Sequence, residues 1–116
     1  MPTFEQGDVI RIPFPYTDRD TRQRRPALVV SAGATGEDAR LLWVVMITSA
    51  NNQPWTGDVA IPDHEAVGLP APSVIRSVKI ATIETRHAEQ LGKAETTTCD
   101  AVLRQIRAFI NRTGGH

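Results

Sequence analysis

The sequence predicts a small, mainly β protein: an antiparallel barrel or curled sheet that ends in one α-helix. Short apolar runs separated by turn residues fill positions 9–83, which is the pattern of consecutive short strands. From Val102 to Ile110 the apolar residues recur every three or four positions, as on one face of a helix. With 116 residues and no visible linker or repeat, we expect a single domain over positions 1–116.

The first two strands are predicted from alternation and from a proline. Apolar and polar residues alternate over positions 9–14, which indicates a strand with one face toward water. An apolar run predicts a second strand over positions 27–31, and Pro26 is expected at its start because proline cannot donate a ladder hydrogen bond. Pro26 also restricts Arg25 to an extended backbone, so we expect Arg25 at a rigid strand start. The polar positions 16–23 predict a loop.

The strongest apolar run lies at positions 41–47 and predicts the central strand, with Thr48 and Ser49 as its last residues. A short strand is predicted at 58–61, and positions 73–83 predict either one further strand or two broken pieces. The other local predictions are a helical turn at 86–91 closed by Gly92, a weak cap at Thr97 and Asp100 for the terminal helix, and an end of that helix at Gly114–Gly115.

The charge distribution favours a local anion site over bulk attraction. The 13 Lys and Arg balance the 13 Asp and Glu, yet positions 11–25 carry five arginines against two aspartates. A single cysteine excludes an internal disulfide and fits a reducing compartment. The first residues lack the pattern of a signal peptide, and no apolar run approaches the ~20 residues of a membrane span. We therefore expect a soluble, cytoplasmic protein.

The candidate catalytic residues lie at strand ends. Neighbouring antiparallel strands place the start of one beside the end of the next, so Arg25 and Thr48 are expected to meet at one rim of the sheet. A guanidinium there can donate two hydrogen bonds to a phosphate. The alternatives are a solvated charge for Arg25, a turn-satisfying hydroxyl for Thr48 and an exposed strand charge for Arg76. The three histidines and Cys99 show no metal-ligand spacing, so neither a metal nor a cofactor is expected.

Six short segments follow one another along the chain in an order that is characteristic of a known protein family. They are Gly7-Asp8-Val9-Ile10, Pro13-Phe14-Pro15-Tyr16-Thr17-Asp18, Arg24-Arg25-Pro26-Ala27-Leu28-Val29-Val30-Ser31, Ile47-Thr48-Ser49, Gly68-Leu69 through Ser73-Val74-Ile75-Arg76, and Lys79-Ile80 with Thr82-Ile83-Glu84. This order resembles the PemK/MazF family of toxin endoribonucleases from bacterial type II toxin–antitoxin systems, over nearly the whole chain. The resemblance implies an SH3-like barrel with a C-terminal helix, a homodimer, a cognate antitoxin, and metal-independent, sequence-specific cleavage of single-stranded mRNA.

The resemblance also implies roles for individual residues. Arg25 stands at the family's catalytic arginine before proline, and Thr48 stands at its catalytic threonine after the central strand. Arg76 matches an arginine that some members use. Val78 stands where some members have an aspartate proposed as the base, and positions 16–23 lack the histidine that others use there. The remaining candidates for the base are Asp18, Asp20 and His64.

RNA contacts are predicted around the catalytic pair. Arg25 suits stabilisation of charge on the phosphorus, and Thr48 suits orientation of the phosphate. Tyr16 and Trp55 lie in predicted loops and can stack on unpaired bases, although Trp55 suits a half-buried anchor equally well. The predicted RNA-binding residues are Tyr16, Asp18, Arg19, Arg22, Arg24, Ser49, Trp55 and Arg76.

Two other functions fit parts of the sequence. A toxin of the same barrel that poisons DNA gyrase, as CcdB does, would act through its terminal helix and would not need Arg25 at the rim. A non-catalytic barrel that only binds RNA or a partner protein is favoured by Val78. As partners we expect an acidic, disordered antitoxin segment on the basic positions 18–25, and a second copy of the chain that covers edge strands.

Overall fold

The computed structural model describes residues 3–13 and 24–111 of the chain. Its elements are β1 (Asp8–Pro13), β2 (Arg24–Val29), β3 (Leu41–Ser49), β4 (Asp58–Ala60), β5 (Ser73–Glu84), β6 (Glu89–Lys93) and α1 (Thr96–Ile110). The strands form one antiparallel sheet in the order β4-β5-β3-β2-β1-β6, so β4 and β6 are its edges and the sheet stays open between them. The predicted fold class, mainly β with a C-terminal helix, is confirmed.

The central strands of the sheet are buried on both faces, because a separate apolar layer packs against each. The helix α1 covers one face, where Val102 packs with strand residues such as Val45 and Ile75. Phe4 packs on the opposite face, against a cluster that includes Ile10. A sheet that is buried on both faces needs little alternation in its central strands. This explains why β3 reads as an almost continuous apolar run.

β1 differs from its predicted pattern, in which one face meets water. Val9 is fully buried in the layer under α1, and Asp8 is buried beside it. The Asp8 carboxylate accepts hydrogen bonds from the Glu5 backbone N–H at 2.8 Å and from the Lys93 ammonium at 3.2 Å, which compensates for its burial. The prediction of a wet face is therefore wrong for Val9 at the start of β1 and holds for Arg11 and Pro13, which are half-buried and exposed, respectively.

The edge strand β6 occupies a segment that was predicted as a helical turn over 86–91. A 3₁₀ turn spans only Thr85–His87, and β6 then pairs with β1 from Lys93 to Glu89. Polar residues and a glycine give this segment a weak strand propensity. The strand therefore depends on partners far away in the chain, including Arg11, whose guanidinium lies 2.9 Å from the Glu89 carboxylate.

The helix α1 begins and ends earlier than predicted. Glu95 occupies the position before its first residue and makes no side-chain capping hydrogen bond, so the cap predicted at Thr97 is wrong. The helix ends at Ile110, and the predicted end at Gly114–Gly115 lies outside the described residues. The apolar spacing locates the helix correctly but leaves its ends uncertain by several residues. Within the described part of the chain, no helix has the length and hydrophobicity needed to cross a bilayer.

β5 is one continuous strand with a large bulge in its middle, so the single-strand alternative is the observed one. Val45 of β3 pairs with Ile80, whereas Ile47 pairs with Ile75, so two steps along β3 face five steps along β5. The bulge leaves positions 76–79 unpaired with β3, whereas on the other side of β5 Arg76 still pairs with Asp58 of β4. Because a bulge redirects the side chains that it carries, this irregularity decides where Arg76 points.

Gly92 lies where two backbones touch, and this contact leaves no room for a side chain. An ideal Cβ at Gly92 would lie 2.5 Å from the Val67 carbonyl oxygen, and one at Gly68 would lie 2.5 Å from the Leu91 carbonyl oxygen. We expect Gly92→Ala to lower the free energy of unfolding by about 1–3 kcal/mol in urea denaturation. The exposed variant Gln90→Ala on the same strand should change it by less than about 0.5 kcal/mol. A wild-type midpoint for Gly92→Ala would contradict this packing.

Candidate active site

The strands β2 and β3 separate at one end of the sheet. Their ladder stops at Ala27 and Met46. From there β2 runs back to Arg24 paired with β1 alone, whereas β3 runs on to Ser49 paired with β5. Pro26 lies at the point of separation, where its missing N–H costs no hydrogen bond to β3. A wedge-shaped gap therefore opens between the two strand ends. Each strand is held there by its other neighbour, β2 by β1 and β3 by β5.

Arg25 and Thr48 face each other across this wedge. Continuing the register from the last pair, Ala27 with Met46, places Arg25 opposite Thr48. β2 begins at Arg24, three residues before the predicted start at 27, because β1 continues to pair with it. The meeting of Arg25 and Thr48 at one rim of the sheet is thus as expected from antiparallel pairing, with Arg25 inside the strand and exposed to solvent.

The wedge forms a cavity of about 510 Å³. Arg24 and Arg25 line it from β2, and Thr48 and Ser49 line it from β3. Asn52 from the loop after β3 and the proline-containing segment 69–73 complete its described walls. Four of the predicted site residues therefore share one cavity.

The described walls of the cavity carry positive charge. Arg24 and Arg25 are the charged residues among them, and these walls contain no Asp, Glu or His. Arg24 is partly balanced by Glu89, whose carboxylate lies 3.6 Å away. Arg11 hydrogen-bonds the same carboxylate and is the main reason that the pKa of Glu89 is lowered. An anion that accepts two parallel hydrogen bonds from a guanidinium, such as a phosphodiester, suits this cavity.

Asn52 holds the hydroxyl group of Thr48. Its side-chain amide nitrogen donates a hydrogen bond to Thr48 Oγ1 at 2.5 Å, and its backbone N–H donates to the Ser49 carbonyl oxygen at 3.1 Å. Our reading of the sequence missed Asn52. The available signal was an asparagine four positions after a strand-end threonine, within reach of a tight turn.

Arg76 lies at the inner side of the site. The alternative interpretation of Arg76 as an exposed strand charge is wrong, because the residue is buried. Only 7% of the residue is exposed. Its guanidinium donates to the Gln53 carbonyl oxygen, lies 3.7 Å from the Asp58 carboxylate and stacks 4.2 Å from the centre of the Trp55 ring. With Arg25, Thr48 and others it also lines a small cavity of about 40 Å³. Its role in RNA binding stays a prediction, and the structure gives it several protein partners.

Other predicted site residues lie apart from the cavity or cannot be located. Trp55 is 45% exposed and packs on Arg76, but it does not line the large cavity. His64 does not line it either. Within residues 3–13 and 24–111 there is no group of three or more His, Cys, Asp and Glu side chains that could hold a metal ion. The predictions for Tyr16, Asp18, Arg19, Asp20 and Arg22 fall outside the described residues.

Asp58, the first residue of β4, stabilises the loop between β3 and β4. Its carboxylate accepts a hydrogen bond from the Trp55 backbone N–H at 2.9 Å and faces the buried Arg76 guanidinium. We expect Asp58→Ala to lower the free energy of unfolding by about 1–3 kcal/mol, because the Trp55 N–H loses its acceptor and the buried Arg76 guanidinium loses its counter-charge. The control Glu84→Ala removes an exposed ion pair with Arg86 and should cost less than about 0.5 kcal/mol in the same denaturation experiment. Equal stabilities of the two variants would contradict the supporting role.

Comparisons with known proteins agree with this fold. Three solved structures illustrate the likeness. MazE–MazF from Deinococcus radiodurans has a TM-score of 0.76 and 23% identity, with 96% of this chain and 98% of that one covered. An endoribonuclease in complex with its cognate antitoxin from a mycobacterial species has a TM-score of 0.72 and 18% identity, with 91% and 93% covered. The Mycobacterium tuberculosis toxin MazF-mt6 has a TM-score of 0.62 and 21% identity, with 87% and 94% covered.

These identities show a shared fold, and the family assignment comes from a different comparison. A search of curated protein sequences gives no significant match. The family model of PemK-like, MazF-like toxins matches residues 5–110, which is nearly the whole chain. The chain therefore belongs to the PemK-like, MazF-like family of toxins of type II toxin–antitoxin systems.

Proposed function

We propose that this toxin is an endoribonuclease that cleaves single-stranded mRNA at short sequences without a metal ion. The observation that carries the proposal is the placement of Arg25 and Thr48 on opposite walls of one positively charged cavity. Family membership supports it, and one solved relative is named an endoribonuclease. A gyrase poison that acts through its terminal helix needs no such cavity, and the cleavage experiment below separates the two functions.

The proposed reaction uses a nucleophile that the RNA itself supplies. A base takes the proton of a ribose 2′-hydroxyl, and the 2′-oxygen forms a bond to the adjacent phosphorus. The bond between phosphorus and the 5′-oxygen breaks, and that oxygen takes up a proton. The products are a 2′,3′-cyclic phosphate and a free 5′-hydroxyl. Because the nucleophile belongs to the substrate, the reaction does not require a metal-bound water.

In this reaction Arg25 stabilises the negative charge that develops on the phosphoryl oxygens. A guanidinium stays protonated at physiological pH, so it serves as a hydrogen-bond donor and not as a base. Thr48 donates its hydroxyl hydrogen to a phosphoryl oxygen and orients the phosphate. Their positions on two separately supported strands fix the distance between the two donors, which is the condition for catalysis by positioning.

The proposal also includes a base and further RNA contacts. Asp18 and Asp20 remain candidates for the base, and His64 would have to act from outside the described walls of the cavity. Val78 lines an apolar cavity with Ile80, away from Arg25, so an aspartate at that position would not face the phosphate. For RNA binding, we propose base stacking by Tyr16 and Trp55 and backbone contacts by Arg19, Arg22 and Arg24.

The proposed protein partner at the cavity is a cognate antitoxin. Solved relatives are complexes of MazF with MazE and of an endoribonuclease with its antitoxin. The exposed arginines Arg24 and Arg25 suit an acidic, extended segment, and such a segment would occupy the site of the RNA phosphate. The action on mRNA and the single free cysteine together favour the cytoplasm as the location.

We also propose a homodimer, formed through an apolar patch next to the end of α1. The patch consists of Trp43, Val78, Ile80, Phe109 and Ile110, all of which are exposed in the described chain. Trp43 and Ile80 project from the same sheet face as the core under α1, beyond the reach of the helix. A cavity of about 230 Å³ lies between β5 and the helix end. Contiguous apolar surface of this kind marks an interaction site.

The first prediction of the proposal concerns Arg25. Arg25→Ala should lower kcat/KM for cleavage of single-stranded RNA by at least about 100-fold, because the phosphoryl charge loses its donor. Cleavage by the wild-type protein should persist in EDTA and leave 5′-hydroxyl ends, detected by sequencing of the RNA ends. The control Arg86→Ala removes an exposed arginine outside the described walls of the cavity and should retain full activity. Near wild-type cleavage by a folded Arg25→Ala variant would refute the assignment.

The second prediction concerns the apolar patch. Ile80→Glu places a charge in the proposed interface, so the variant should sediment as a monomer at concentrations where the wild-type protein sediments as a dimer. The exposed helix variant Gln105→Glu adds the same charge elsewhere and should remain a dimer. A monomeric wild-type protein, or a dimeric Ile80→Glu variant, would contradict the proposed interface.

A further inference from the structure

The loop between β3 and β4 is fixed at its start by contacts with the last residues of β3. The backbone N–H of Asn51 donates to Ser49 Oγ, and that of Asn52 donates to the Ser49 carbonyl oxygen, both at 3.1 Å. These two bonds form a tight turn that brings the Asn52 side chain back to Thr48. The amide of Asn52 is thus held beside the hydroxyl that lines the cavity.

The direction of the hydrogen bond between Asn52 and Thr48 has a chemical consequence. The Asn52 amide nitrogen can only donate, so Thr48 Oγ1 is the acceptor. A hydroxyl that accepts from one side keeps its own hydrogen for another acceptor. Because Thr48 lies in the cavity wall, that hydrogen is available for an anion in the cavity. Asn52 therefore sets the hydroxyl as a donor toward the cavity.

The next residues of the loop are held by Arg76 from inside the protein. The Arg76 guanidinium donates to the carbonyl oxygen of Gln53, the residue after Asn52. The same guanidinium stacks on Trp55, whose backbone N–H is bonded to Asp58. Asp58 and Arg76 are paired in the ladder between β4 and β5. One buried cation thus contacts the loop at Gln53 and Trp55, just after the residue that holds Thr48, and also lies beside Asp58 at the start of β4.

We propose that Asn52 is a positioning residue for Thr48, and that Arg76 acts through Asn52 by fixing the loop at Gln53 and Trp55. This inference rests on the RNA cleavage proposed above and gives Arg76 a role that needs no contact with RNA. It explains why an arginine so near the cavity is almost fully buried. The bulge in β5 leaves Arg76 without a ladder partner in β3, and its guanidinium contacts this loop.

The central test is a set of single and double variants in the RNA cleavage assay. Asn52→Ala should lower kcat about 3- to 10-fold with little change in KM, because one hydrogen bond that orients Thr48 is lost. In a Thr48→Val background, Asn52→Ala should have no further effect. Arg76→Lys should also lower kcat, and adding it to Asn52→Ala should bring no further loss. Multiplicative losses in either double variant would overturn the proposal.

The direction of the hydrogen bond gives a second, sharper comparison. Asn52→Ser keeps a donor and should lose less activity than Asn52→Ala. Asn52→Asp replaces the donor by an acceptor, which would draw the Thr48 hydrogen away from the phosphate, so it should lose more. Asn51→Asp adds the same charge one residue earlier, where the side chain has no contact with Thr48, and serves as the matched control for repulsion of RNA. Equal losses for Asn51→Asp and Asn52→Asp would overturn the positioning role.

A readout that is independent of cleavage separates this inference from the proposed function. Three-bond couplings to the labelled Thr48 methyl group report its side-chain rotamer in solution. They should show one rotamer in the wild-type protein and averaging in Asn52→Ala and in Arg76→Lys, with melting temperatures confirming that both variants are folded. Unchanged couplings would overturn the positioning role. If wild-type protein left RNA intact, the proposed function would fall, and the couplings would still decide whether Asn52 and Arg76 orient Thr48.

Discussion

The point where β2 stops pairing with β3 is the constraint on which the rest of the site depends. Each strand continues past Ala27 and Met46 only because it has another neighbour, β1 for one strand and β5 for the other. Cationic and hydroxyl groups therefore project from firmly held backbone into a space that stays open. Groups on paired strands keep their positions more accurately than groups on loops, and catalysis by positioning depends on that accuracy.

Support for this arrangement comes from both sides of the sheet. The two apolar layers hold the central strands, and burial on both faces removes the freedom to shift register, since a shift by one residue would exchange the two layers. On the inner side, Arg76 is a buried cation held by the Gln53 carbonyl, the Trp55 ring and the Asp58 carboxylate. Burial of such a group has a desolvation cost, which several partners together offset.

Most of the fold and part of the site follow from the sequence. Alternation, apolar runs and helical spacing identify the strands from β1 to β5 and the helix, and antiparallel geometry alone is enough to bring Arg25 and Thr48 to one rim. Two of the failures have one cause, which is dependence on partners distant in the chain. β6 exists because β1 offers it hydrogen bonds, and the surroundings of Arg76 follow from a bulge that no local pattern reveals. Asn52 was missed because a single polar residue in a turn has many ordinary explanations.

The segment 69–73 forms a part of the cavity wall that belongs to neither β2 nor β3. Its start is fixed by the backbone contact between Gly68 and β6, and its end is fixed where the Pro72 carbonyl accepts a hydrogen bond from the Ala50 N–H. Between these two fixed ends, residues 69–73 form part of the cavity wall. Sequence changes confined to these residues would reshape the cavity, while Arg25 and Thr48 kept their positions on β2 and β3. The shape of the cavity and the positions of its charged and hydroxyl groups thus depend on separate stretches of chain, and each can evolve at its own pace.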